Sequence, residues 1–224
     1  MKYIIFLTAL ALLSGCNTTR PWFFGKDAAQ IRPEQGYIVG TITQTDPEIA
    51  NGHTTINIQK SDSHNSLSDL VNRFQKIELN YSSYLDRNDT DFSNKKGRCF
   101  LKELGEGTYY VTQWNVQSND MSSFWPVDVI AYPIKIKAGE IYYIGNFDVT
   151  VTPGVPDSFG FPRITRAWLE VKDEYNNDID DILRVFPFIK GQEIENYSIK
   201  MDEWIRSDRV RTGTIKPVPF PEEK

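Results

Sequence analysis

Apolar and polar residues alternate one by one in stretch after stretch of this chain. That period of two is the signature of half-buried β-strands. Ile38, Gly40 and Ile42 alternate with Val39 and Thr41, and Thr54-Thr55-Ile56-Asn57-Ile58 puts both isoleucines on one side. Ile77, Leu79 and Tyr81 alternate with Lys76, Glu78 and Asn80. Gly105-Glu106-Gly107 is a turn, and in the strand after it Tyr110, Thr112, Trp114 and Val116 share a face. Pro126 to Lys137 reads as one further strand, with Ile134 and Ile136 facing away from Lys135 and Lys137, and Ala138-Gly139-Glu140 turns the chain. Ile141, Tyr143, Phe147, Val149 and Val151 then share a face, with Gly145 as the place for a bulge. Ala167, Leu169 and Val171 alternate with Trp168, Glu170 and Lys172. Many short strands, each with one apolar face, predict a mainly β domain over residues 36–206: an antiparallel β-sandwich.

Towards the end of that domain the period changes to 3.6. Ile179, Ile182, Leu183 and Phe186 fall at i, i+3, i+4 and i+7, which predicts a short amphipathic helix over 177–186, packed on the sandwich and ended by Pro187. Asn176 and Asn177 offer caps, and Asp178, Asp180 and Asp181 place negative charge in the first turn, where the helix dipole favours it. Ser66 to Asp69 has capping-box spacing ahead of Leu67, Leu70, Val71 and Phe74, so a second short helix is expected there, unless the strand at Ile77 extends backwards. Residues 82–97 are polar and read as a long surface loop. Asp86, Asn88, Asp89 and Asp91 are oxygen donors, but the glycine and late glutamate of an EF-hand are missing, so a solvated loop is the better reading. Residues 188–206 are mixed in pattern. Residues 207–224 close on Lys-Pro-Val-Pro-Phe-Pro-Glu-Glu-Lys, which predicts an extended, mobile tail.

The beginning of the chain carries a different message. Lys2 precedes an uncharged, mostly apolar run from Tyr3 to Leu13, and small residues lead into Cys16. That order is the order of an export signal, and the run is shorter than the ~20 residues that span a bilayer. Leu13-Ser14-Gly15-Cys16 resembles the lipobox of bacterial lipoproteins. The resemblance implies a signal peptide over 1–15, cleavage before Cys16, and a lipid anchor on the Cys16 thiol, with the new amine often acylated too. Two or more acyl chains hold a protein firmly, where one holds it only marginally. In that family an aspartate after the cysteine favours retention in the inner membrane. Asn17 stands there instead, which implies the outer membrane in a source that has one. Residues 16–35, with Pro21, Gly25 and Pro33, read as the lipidated tether. Trp22, Phe23 and Phe24 within it have two open placements, at the lipid headgroups or docked on the domain. Docking is preferred, because three large rings in water are unfavourable.

A second resemblance lies between residues 100 and 150. Leu104-Gly-Glu-Gly-Thr-Tyr-Tyr-Val and Ile136-Lys-Ala-Gly-Glu-Ile-Tyr-Tyr-Ile-Gly are similar to paired strands of small uncharacterised envelope lipoproteins. Those proteins in turn resemble transthyretin-like or carboxypeptidase-regulatory β-sandwiches. The resemblance implies a fold and no activity.

Charge and chemistry narrow the function. The formal net charge is −5 with no basic cluster, which argues against nucleic acid and against electrostatic binding to anionic lipid. With Cys16 lipidated, Cys99 has no partner in the chain. In Arg98-Cys99-Phe100-Leu101 it reads as a buried small hydrophobe, while an intermolecular disulfide stays open. The two histidines, His53 and His64, lie in polar, turn-like segments without metal-site spacing. No nucleophile elbow, P-loop or dinucleotide fingerprint is present, and no cofactor or metal is expected. The sequence therefore leads to a non-catalytic binding or assembly module held at the membrane through lipid on Cys16, with an envelope protein as expected partner. The alternatives are a hydrolase acting on envelope polymers and a small-ligand carrier using Tyr109, Trp114, Trp125 and Trp168.

Overall fold

The computed structural model describes residues 30–44, 52–61, 77–82, 90–118, 122–156, 158, 163–205 and 210–213. The expected signal peptide, Cys16, the rings at 22–24, the helix expected near 66–74 and His64 lie outside them. Two sheets form the body. The first contains β1 (Gln35–Gln44), β4 (Lys96–Gly105), β8 (Ile141–Pro153), β9 (Ile164–Lys172) and β10 (Ile194–Asn196). The second contains β2 (Gly52–Lys60), β3 (Ile77–Ser82), β5 (Gly107–Ser118), β6 (Ser123–Pro126), β7 (Tyr132–Ile136) and β11 (Val210–Gly213). Each sheet is organised around one long strand. β8 has β1 on one edge, with β9 and β10 sharing the other; β5 has β2 on one edge, with β6 and β7 sharing the other. Pairing is antiparallel except for β1–β8 and β10–β8, which are parallel. Gly105-Glu106-Gly107 is the corner at which the chain passes from the first sheet to the second.

The main core lies between the sheets. Ile38, Ile42, Phe100, Ile144, Phe147 and Leu169 from the first sheet meet Ile56, Ile58, Val111, Trp114 and Ile134 from the second. Trp204, from the single turn α2 (Met201–Trp204), is fully buried with them and sits edge-on to Phe147, ring centroids 6.3 Å apart.

A second core lies on the outer face of the first sheet. Helix α1 (Tyr175–Val185) places Ile182 against Tyr37, Val39, Cys99, Leu101, Ile141 and Tyr143, with Ile179, Leu183 and Phe186 partly buried around it. The short 3₁₀ turn Pro187–Ile189 adds Ile189. β1 is consequently covered on both faces and is buried along nearly its whole length.

The β-sandwich with a helix laid on it agrees with the sequence reading, and several details differ. The helix begins at Tyr175, so Asn176 and Asn177 sit inside its first turn and do not cap it. Pro126–Lys137 is not one strand: the chain leaves the edge of β5 between β6 and β7, where Ile130 N–H donates to Trp204 O at 2.9 Å. His53 lies within β2, not in a turn. Within the segment 16–35 expected as a tether, Ile31 packs on the second core and Arg32 N–H donates to the Tyr37 hydroxyl at 2.7 Å. Within the supposed tail 207–224, Val210–Gly213 pairs with β6. The surface loop folds back on the sheet at Asp91 and Phe92, both buried.

Two corrections have one cause. Along β5 the partner of Asn57 is Gln113 and that of Ile58 is Val111, so Thr112 is an inserted residue. Along β8 the partner of Val39 is Tyr143 and that of Thr41 is Asn146, so an extra residue falls at Gly145. An insertion moves every later side chain to the opposite face. Tyr109 and Val111 therefore join Trp114 and Val116 in the core, not Tyr110 and Thr112. Ile141 and Tyr143 face α1, whereas Phe147, Val149 and Val151 face the second sheet.

Candidate functional site

The outer face of the first sheet is apolar under the middle of α1 and turns polar beyond it. Thr41 and Thr43 follow Val39 on β1, and Asn146 follows the bulge on β8; all three are at most 4% exposed. Above them stands Asp178. It lies four residues before Ile182, on the same stripe of the helix, so it points at the sheet and is fully buried. Its Oδ2 accepts hydrogen bonds from Thr41 Oγ1 at 2.6 Å, the Tyr143 hydroxyl at 2.8 Å and Asn146 Nδ2 at 3.3 Å. Its Oδ1 takes the ammonium of Lys95 at 2.7 Å. A buried carboxylate is tolerable only with such a full set of donors. Burial, and next the negative charge of Asp178, raise the Tyr143 phenol well above its ordinary value, so it stays a donor.

The network continues outward. Asn146 Nδ2 donates to Thr41 Oγ1 at 2.7 Å, and Thr43 Oγ1 donates to Asn146 Oδ1 at 2.9 Å and to Asp148 Oδ1 at 3.2 Å. Lys172, from the end of β9, pairs with Asp148 Oδ2, and that bond raises its pKa. Thr43, Asn146, Asp148 and Lys172 form the floor of a cleft of about 660 Å³, with Glu174, Asn177 and Asp181 on one wall and Ser93 to Lys96 on another.

The second wall is tied down locally. Asp91 N–H donates to Gly97 O at 3.1 Å, and Asp91 Oδ2 accepts from Cys99 N–H at 2.9 Å. Asp91 also faces the buried guanidinium of Arg98 at 3.6 Å, and its carbonyl accepts from Arg184 on α1. Lys95 lies over the Phe92 ring, 4.4 Å from the centroid, while it reaches Asp178. The aspartate weighed as a solvated oxygen donor is thus the clasp that holds this loop against β4.

The residues singled out from sequence fall elsewhere. Cys99 is buried in the second core, and its thiol is pushed up first by burial and then by the charge of Asp91. Tyr109 and Trp114 are buried in the main core, Trp125 and Trp168 are half-buried, and Trp168 meets Trp114 edge-on at 5.9 Å. None of these four lines the cleft. The sequence signal that was missed is the register of Asp178 with the apolar stripe, together with threonines replacing apolar residues on the outer face of β1. Among the described residues no group of three or more histidine, cysteine, aspartate or glutamate side chains is placed to hold a metal, and no helix is long and apolar enough to cross a membrane. No protein-family model matches the chain, and no curated protein matches it in sequence.

Proposed function

We propose that the chain is a lipid-anchored protein of the cell envelope whose sandwich acts as a binding module, with the cleft beside the start of α1 as its binding site. The observation that carries this reading is the mutual pairing of the cleft's own groups. Lys95 is held by Asp178, Lys172 by Asp148, and Asn146 by Thr41 and Thr43. Groups fixed in this way lose little freedom when a ligand arrives, which favours recognition. A general base or nucleophile needs a different arrangement, with one group activated by another at a reacting atom.

The anchor rests on Leu13-Ser14-Gly15-Cys16 and its position behind an apolar run. Even fully extended, the segment from Cys16 to Ile31, which packs on the domain, reaches at most about 54 Å, so the domain stays close to the bilayer. The outer membrane is favoured on Asn17.

The test has two parts. Mass spectrometry of the mature amino terminus is expected to find diacylglycerol on Cys16, and Cys16→Ser is expected to leave an unlipidated precursor. An unmodified Cys16 or a cut elsewhere refutes the anchor. In intact cells, a photo-crosslinker at Asn94, exposed in the lining of the cleft, should capture a specific envelope component, whereas one at Val155, exposed just past the end of β8 and outside that lining, should not. Equal capture at both positions refutes the cleft as the binding site. Turnover of peptidoglycan, glycan, ester or phosphoester substrates by the purified protein would refute the binding-only reading.

A further inference from the structure

We infer that the cleft takes an uncharged, hydroxyl-rich ligand, a short stretch of neutral glycan; this rests on the reading of the cleft as the binding site. Charge is balanced in the cleft. Lys95, Lys96 and Lys172 line the cleft together with Asp148, Glu174 and Asp181, so the two signs cancel. A ligand of net charge would meet as much repulsion as attraction.

The ion pairs in the cleft also select for hydroxyls. An ammonium has three donors and a carboxylate about four acceptor positions. Lys172 is held by Asp148 and lies 3.9 Å from Glu170, and Asp148 also accepts from Thr43. A charged ligand would have to break this pair to replace one partner. A hydroxyl both donates and accepts, so adjacent hydroxyls add to the ammonium and the carboxylate while the pair stays intact. The hydroxyl and amide groups of Ser93, Asn94 and Asn177, exposed on the rim, have the same dual character.

The lining is polar throughout. Small-molecule sites are usually lined by apolar and aromatic side chains. This lining consists of threonine, serine, asparagine, glutamine, lysine and acidic residues, so an apolar ligand would bury little matching surface there. Its volume of about 660 Å³ suits a few linked rings and not the face of a protein.

The experiment titrates the full mature chain, purified in detergent micelles, with three probes: the N-acetylglucosamine trisaccharide, maltotriose and inorganic phosphate. Calorimetry and amide chemical shifts read the binding. One trisaccharide is expected to bind saturably, with shifts centred on Thr43, Asn146 and Lys172 and with no dependence on salt concentration. Ser93→Trp places a ring at the mouth of the cleft from an exposed position. It is expected to weaken binding at least tenfold without changing the melting temperature. Asn146→Ala is a second variant, read only if its melting curve stays cooperative. Trisaccharide binding unaffected by Ser93→Trp would overturn the assignment to this cleft. Binding of phosphate and of neither sugar would overturn the ligand class. If neither sugar binds while the Asn94 cross-linker captures a protein, the glycan inference falls and the binding-module reading survives. If nothing binds and nothing is captured, both fall.

Discussion

Asp178→Asn is the substitution that most directly tests how the helix is seated. The change preserves size and removes the charge from a fully buried position. In the native protein one oxygen accepts three hydrogen bonds and the other accepts the Lys95 ammonium. Hydrogen bonds to a charged group contribute about 1.5–3 kcal/mol each, and neutral ones about 1. The amide keeps one acceptor for Thr41 or Tyr143, but its NH₂ then faces Lys95 or the NH₂ of Asn146, donor against donor. The loss of the Lys95 pair counts for less than the ~3–5 kcal/mol of a fully buried pair, because the lysine side chain is 30% exposed and turns to water. The net expectation is a loss of about 3 kcal/mol, which for a domain of this size lowers Tm by about 6–12 °C. Asp178→Ala should cost more, about 4 kcal/mol, since it leaves the buried hydroxyls of Thr41 and Tyr143 without their acceptor. Tyr143→Phe should cost less, about 1.5 kcal/mol, because it removes one donor of four and leaves the carboxylate with three. Thermal unfolding of the four proteins side by side checks the order. An Asp178→Asn protein melting within about 2 °C of the parent would mean that this carboxylate is solvated and that α1 does not lie as described.

Ile182→Asp sets an unpaired charge in the second core and should destabilise by about 4 kcal/mol in urea unfolding, while an unchanged midpoint would place the helix in solvent. Tyr143 also sets a pH dependence. Its phenol ionises near 10 when unfolded and is raised by burial in the folded state, so its contribution is complete below pH 10 and is lost as pH rises. Tyr143→Phe should therefore flatten the alkaline fall of stability by up to about 1.4 kcal/mol per pH unit, and curves of equal slope for both proteins would contradict this. Cys99 should resist a thiol reagent at pH 8–9 in the native protein and react at once in denaturant, because its thiol is buried and its pKa raised. Rapid native labelling would show that the second core is open.

How much of this was legible in the sequence follows from which signals are local. Period two within a strand and period 3.6 within a helix are local, and they place β1, β2, β9 and α1 close to where they lie. What covers a face is not local. The outer face of β1 reads as the alternate, solvent-side set, yet Tyr37 and Val39 are buried there because a helix that follows some 130 residues later packs on them. Asp178 illustrates the same point from the other side. Its position in the first turn suggests a solvated charge favoured by the helix dipole, and the electrostatics of an isolated helix would leave it so. Only the fold brings Thr41, Tyr143, Asn146 and Lys95 around it.

The cleft itself depends on a single inserted residue. Were β8 a regular strand, Asn146 would share a face with Tyr142 and Ile144 and would point into the main core, where an amide has no partners. The extra residue at Gly145 reverses the parity, so that Asn146 and Asp148 continue the outer face begun by Tyr143, while Phe147 and Val149 turn inward. Gly145 has φ +123°, a conformation that side chains rarely adopt, and a Cβ there would stand 2.5 Å from Val171 Cγ1. Glycine is thus required both by the backbone and by the space. Gly145→Val should cost at least about 2 kcal/mol of stability through strain and overpacking. If the protein escapes by straightening β8, Asn146 and Asp148 leave the floor, Lys172 loses its partner, and rim cross-linking at Asn94 should fall with stability. A Gly145→Val protein that keeps both its melting temperature and its capture at Asn94 would show that the bulge does not build the site.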